Sequence, residues 1–138
     1  MERYREIPHT ADLAAVIYGR TMEELFRNAA YAMFGMMADL KGLGTGEKAE
    51  VTAEAPDTES LLVAWLNELL FAAYSKDMIF SEFRVLSLED GKMTGEAMGE
   101  KLGEDKSRIK AEIKAATYHD IRIVKTEEGY EITIVFDV

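Results

Sequence analysis

Cysteine is missing from this chain altogether, which removes disulfides, zinc–thiolate centres and thiol nucleophiles. Histidine is nearly missing too: His9 and His119 are the only two, and neither stands in a His-x-x-x-His or Cys/His metal spacing. No serine sits in a Gly-x-Ser-x-Gly elbow, and no Gly-Lys-Ser/Thr cradle for phosphate exists. Long apolar runs are absent as well. The longest, residues 61–74, is interrupted by Asn67 and Glu68 and is too short to span a bilayer. No apolar run follows the charged opening Met1-Glu2-Arg3-Tyr4-Arg5, so no secretory leader is expected and a soluble, cytoplasmic protein without membrane contact is. Basic side chains are in deficit, 16 Lys and Arg against 26 Asp and Glu, for a net charge of −10. Such a chain repels polyphosphate, so direct nucleic-acid binding is not expected. A basic protein partner or a cation suits it better. Glutamine is absent and asparagine is limited to Asn28 and Asn67, while 30% of residues are charged. That balance points to a thermophilic source.

What remains is ordinary material for one domain over residues 1–138, with 48% hydrophobic residues and roughly two thirds of its unfolded surface buried. A short strand is predicted at 4–7 and a second at 13–18, joined across Pro8, which lacks an amide donor and biases Ile7 to extended backbone. Thr21-Met22-Glu23-Glu24 reads as a reciprocal capping box opening a helix to about residue 38. Its methionines, among them Met33 and Met37, are expected as soft core packing. The glycine-rich stretch 41–46 follows a helix and precedes a strand (48–54), the wrong context for a phosphate loop, and is expected to be a mobile connection. Asp57 caps a second helix over 58–75 that is apolar nearly all round, with Trp65 its largest side chain. Beyond residue 79 the period becomes two, with a hairpin turn at Glu89-Asp90-Gly91 leading into 93–98. Strands follow at 108–115 and 121–125, the latter turning at Glu127-Glu128-Gly129 into 130–138. The sum is an α+β fold: a mixed or antiparallel multi-stranded sheet with two main helices packed on one face.

Two places offer chemistry. Asp137-Val138 sets a side-chain carboxylate beside the α-carboxylate, two charges that repel unless a cation or a basic group lies between them. Oxygen donors of this kind suit calcium, magnesium or manganese. A solvated terminus is the plain alternative. Asp12 taken alone reads as a turn-capping aspartate after Pro8; the ion-site reading makes it the other half of that site, with His9 beside it. His119 reads as a hydrogen-bonded surface histidine and Lys114 as a solvated lysine on an outward strand face.

Several segments together resemble the archease family. They are Tyr4 with His9-Thr10-Ala11-Asp12, Leu61-Leu62 with Trp65-Leu66-Asn67-Glu68-Leu69-Leu70-Phe71, Gly99-Glu100-Lys101-Leu102, Lys114-Ala115-Ala116-Thr117-Tyr118-His119-Asp120, and Phe136-Asp137-Val138. The resemblance covers the whole chain. Ala14 stands where many members carry glycine, and Phe136 where some carry proline. The resemblance implies an archease-like single domain that is not itself an enzyme. Its implied role is activation of the RtcB-class RNA ligase of tRNA splicing, by promoting guanylylation of a ligase histidine from GTP and so repeated turnover. It also implies Asp12, Asp137 and the terminal carboxylate of Val138 as ligands of a divalent cation, calcium first, with magnesium or manganese as alternatives. Lys114 is implied as the functional lysine, with His9 and His119 as groups that orient the ligands. A tRNA methyltransferase is a further client the resemblance suggests. Two rival readings are a metal-dependent phosphohydrolase, with Asp12 and Asp137 on a metal-bound water, and a general chaperone using methionine-rich faces. All versions of the ion site require the first and last strands to lie side by side.

Overall fold

The computed structural model describes residues 2–8 and 12–138; His9, Thr10 and Ala11 lie outside the described residues. The element order is β1 (Tyr4–Ile7), β2 (Leu13–Gly19), α1 (Met22–Met37), β3 (Glu47–Glu54), α2 (Thr58–Lys76), β4 (Met78–Glu89), β5 (Lys92–Lys101), β6 (Ala115–Ala116), β7 (Val124–Lys125) and β8 (Tyr130–Asp137). The α+β fold is as the patterning predicts, but the strands divide into two sheets. One runs β1-β2-β8-β6 with β7 also paired to β8, and the other runs β3-β5-β4. Every strand pair in both is antiparallel. The helices do not share one face of one sheet. α1 packs against β2 and against β4, bridging the two sheets, while α2 packs chiefly on β3 and reaches β6.

Each helix starts where its cap dictates. Thr21 Oγ1 accepts the Glu24 amide at 3.1 Å, and the Glu24 carboxylate reaches back to the amide of Arg20, one residue before the cap. Asp57 Oδ1 accepts the Ser60 amide at 2.8 Å, and this bond holds the Asp57 carboxyl below the usual aspartate range. The β4–β5 hairpin turns through Asp90 and Gly91, both at positive φ (49° and 75°), as a two-residue loop that follows the strands' twist demands.

The core lies between the sheets. Trp65 is wholly buried on α2, and its indole Nε1 donates to the Phe26 carbonyl of α1 at 3.0 Å, so the largest side chain also ties the helices together. Gly95 of β5 faces that ring: a Cβ there would stand 2.7 Å from two ring carbons. Met33, Met36 and Met37 are buried in the same core. The side chains predicted to make α2 apolar nearly all round are not all covered, since Phe71 is 70% exposed.

Three expectations need correction. The predicted strand 108–115 is strand only at Ala115–Ala116. Before that, the amides of Lys110 and Ala111 both turn to the Met37 carbonyl at the end of α1, at 2.7 and 3.2 Å, so this stretch satisfies a helix terminus in place of a ladder. The strand predicted at 121–125 is reduced to Val124–Lys125, because the Ile123 amide donates to Glu59 Oε2 of α2 at 3.2 Å and not to β8. The glycine-rich connection 41–46 is not loose at its start. The Arg108 guanidinium donates to the carbonyls of Asp39 and Lys41, at 3.0 and 2.7 Å, which pins it to the 108–114 crossing.

Candidate functional site at the paired chain ends

β2 and β8 run antiparallel from Gly19 opposite Tyr130 to Leu13 opposite Phe136. Continued by one residue, that register places Asp12 beside Asp137. Period-two alternation explains why the site is acidic while its support is apolar. Phe136, Ile134 and Ile132 turn inward and are buried, and Asp137, the next residue, is exposed on the other face. Ala14 and Val135 are buried on that same outer face, one step along each strand from the aspartates. Asp12 is half-buried in the bend that precedes β2. Both aspartates adjoin one end of the sheet's central strand pair, not its edge, because β6 covers the far side of β8.

That flank is what fixes the Asp137 backbone. Ala115 pairs with Asp137 and Ala116 with Phe136, and the Lys114 amide donates to the Asp137 carbonyl at 2.8 Å. A two-residue strand is a weak element by itself. Asn67 of α2 supports it: its Nδ2 donates to the Ala116 carbonyl at 3.1 Å, and its Oδ1 accepts the Ala116 amide at 2.8 Å. The side-chain amide thus stands in for a missing neighbouring strand. Sequence reading passed over Asn67 as a break in an apolar run. Its signal was there, a lone amide in the middle of a helix otherwise committed to the core.

Lys114 is exposed, but its side chain does not join the aspartates' face. It lines a hollow beside α2 together with Leu70, Phe71 and Tyr74. Tyr74 closes the far side of this hollow, its hydroxyl donating to the Ile113 carbonyl. Burial and the nearby charge of Glu112 push the Tyr74 hydroxyl above the usual tyrosine value. His119 sits in the turn after β6, where its amide donates to Thr117 Oγ1 at 3.3 Å and its Nε2 lies 3.3 Å from Asp120 Oδ2. Asp120 adopts the left-handed conformation (φ 49°) that makes this turn. His9 lies outside the described residues.

The arrangement offers two side-chain carboxylates, Asp12 just before β2 and Asp137 at the end of β8, both oxygen donors. Among the described residues no three histidine, aspartate or glutamate side chains come together around one point, so His119 does not complete a three-side-chain cluster with Asp12 and Asp137. Hard divalent cations fit an all-oxygen donor set of this kind, and zinc fits it poorly. Among the described residues no helix is long and apolar enough to cross a membrane.

Comparison with known proteins agrees with this architecture. The profile of the Archease protein family (MTH1598/TM1083) matches residues 4–138. Protein archease of Methanosarcina barkeri is 40% identical over 141 residues, covering 99% of this chain and 97% of the relative. Protein archease of Sulfurisphaera tokodaii is 36% identical over 140 residues and covers both chains completely. The solution structure of Methanobacterium thermoautotrophicum protein 1598 superposes with a TM-score of 0.83 at 34% identity, over 100% of both chains. The crystal structure of an archease from Thermotoga maritima, described as a possible chaperone, has a TM-score of 0.66 at 24% identity, over 97% of this chain and 96% of that one, and shares the fold. This chain belongs to the archease family.

Proposed function

We propose that this protein is a non-catalytic activator of an RtcB-class RNA ligase, promoting the ligase's guanylylation from GTP and its repeated turnover. The observation that carries the reading is the β2–β8 register, which ends at Leu13 opposite Phe136, one residue short of Asp12 on one side and of Asp137 on the other. Membership of the archease family supports the choice of an RtcB-class ligase as partner. Asp12, Asp137 and the Val138 carboxylate would hold a divalent cation, which when bound supplies positive charge against phosphate oxygens.

The chain's own residues do the rest. Two carboxylates held side by side form an acidic projection whose self-repulsion is relieved by a cation or by a basic, phosphate-binding cleft. The Asp137 backbone, paired with Ala115 of β6 and accepting the Lys114 amide, keeps that projection in one position. Lys114, on the neighbouring face, offers a single positive charge to a ligase carboxylate or phosphate. A chaperone reading built on methionine surfaces loses its motive, since Met33, Met36 and Met37 are in the core.

The test is a multiple-turnover ligation assay with purified ligase, GTP and a divalent metal. The parent chain is expected to raise turnover, and Asp137→Asn and Lys114→Ala to abolish that gain without lowering the melting temperature. Stimulation by either variant equal to the parent's refutes its assigned role. Phosphate release from nucleotides by this chain alone, with manganese added, would replace the activator reading with a hydrolase.

A further inference from the structure

Away from the paired ends, a pocket of about 290 Å³ opens between the N-terminal segment, α1 and β4. Three arginines from three elements line it: Arg3, Arg27 and Arg84. Glu82 is the one acid among its lining residues. In a chain with ten more acids than bases, three guanidiniums around one pocket make a local reversal of the field.

Each of these guanidiniums has contacts that leave part of its fork of five donors for a ligand. The Arg3 guanidinium carbon sits over the Tyr31 ring, 4.3 Å from its centroid, a cation–π contact that anchors the group. Arg84 Nη1 pairs with Glu96 at 3.3 Å, and Arg27 Nη2 stands 4.0 Å from Glu24. Asn28, buried behind them, is fixed by its Nδ2 bond to the Tyr18 carbonyl at 2.7 Å. A second hollow, about 620 Å³, adjoins the first and shares Tyr31 and Glu82 with it. It adds Tyr4, Lys41 and Lys110.

We infer that this groove binds a nucleotide, with its phosphates on the arginine forks and its base and sugar in the tyrosine-lined hollow. Arginine forks match phosphate oxygens in pairs, and the Tyr4 and Tyr31 rings, set edge to face with centroids 6.4 Å apart, give a flat heterocycle an aromatic wall. The overall charge of −10 decides between nucleotide and nucleic acid, because a long polyanion must cross the acidic remainder of the surface and a small one need not. This inference is independent of the ligase reading.

The test uses isothermal titration of the full chain with ATP, inorganic pyrophosphate and adenosine, in EDTA and low salt so that no cation at the paired aspartates contributes. ATP and pyrophosphate are expected to bind saturably, ATP more tightly, and adenosine not to bind. Arg27→Ala and Arg3→Ala should each weaken ATP by about tenfold or more, with Arg27→Lys recovering part of the loss. Arg27 is well exposed on α1, so its variants keep the test open if Arg3→Ala proves poorly folded by circular dichroism. Absence of saturable ATP binding, affinity unchanged in the Arg27→Ala variant, or an oligoribonucleotide binding more tightly than ATP would each overturn the assignment.

Discussion

Asn67 shows how much one side chain can carry in this molecule. It bonds both backbone groups of Ala116, and so holds the short strand that borders Asp137 and leads out of Lys114. Asn67→Leu keeps the volume and loses both bonds, and should destabilise the protein by about 1–3 kcal/mol. The sharper readout is local: amide hydrogen exchange at Ala116 should speed up more than at the Ile134 amide of β8. Equal acceleration at both would mean that Asn67 supports the whole fold and not this strand. Gly95 is the complementary case, a residue that matters for what it omits. Gly95→Ala puts a methyl against the Trp65 ring and the Arg84 carbonyl, 2.7 and 2.8 Å away. Overpacking of that order costs about 1–3 kcal/mol, visible as a lower urea midpoint with unchanged slope. A neutral result would mean that the Trp65 ring shifts freely, contrary to its burial on every side.

Among the elements, those governed by local chemistry were readable in advance. The strand at Tyr4–Ile7, both helix caps and the Asp90-Gly91 turn follow from residues within four positions of one another. The segments read wrongly are those whose backbone partners come from far along the chain. Residues 108–114 alternate like a strand but satisfy the Met37 carbonyl, and Ile123 answers to Glu59. Alternation also gives no hint of which strands pair, so the division into two sheets was hidden. Tyr74 belongs to this group of distant partners, since its hydroxyl anchors the crossing segment through Ile113. Its raised pKa means that folding favours the neutral phenol. The stabilising contribution is therefore complete below the unfolded tyrosine pKa of about 10 and is lost as pH climbs through the higher folded value. Urea midpoints should thus fall between about pH 9 and 11, and fall less steeply in Tyr74→Phe, where only the Tyr4 hydroxyl, also raised by burial, remains of the pair. Identical pH profiles for parent and variant would contradict that link.

At the scale of the whole molecule, charge is distributed with purpose. A chain of net charge −10 sets two aspartates at one end of the β2–β8 pair and three arginines in a pocket between α1 and β4. The first feature was legible from sequence only as a requirement, that the chain's extremities be neighbours; the register of seven residue pairs between β2 and β8 meets it. The position of Lys114 beside α2, and the convergence of Arg3, Arg27 and Arg84, were not legible, because each depends on how helices and sheets stack. The claim on which the functional account rests is that Asp12 and Asp137 act together on one cation. Calorimetric titration of the metal-free protein with calcium tests it most directly. The account predicts one ion per chain, with binding lost in Asp12→Asn and lost equally in Asp137→Asn; calcium binding that survives either substitution at the parent's affinity would contradict it.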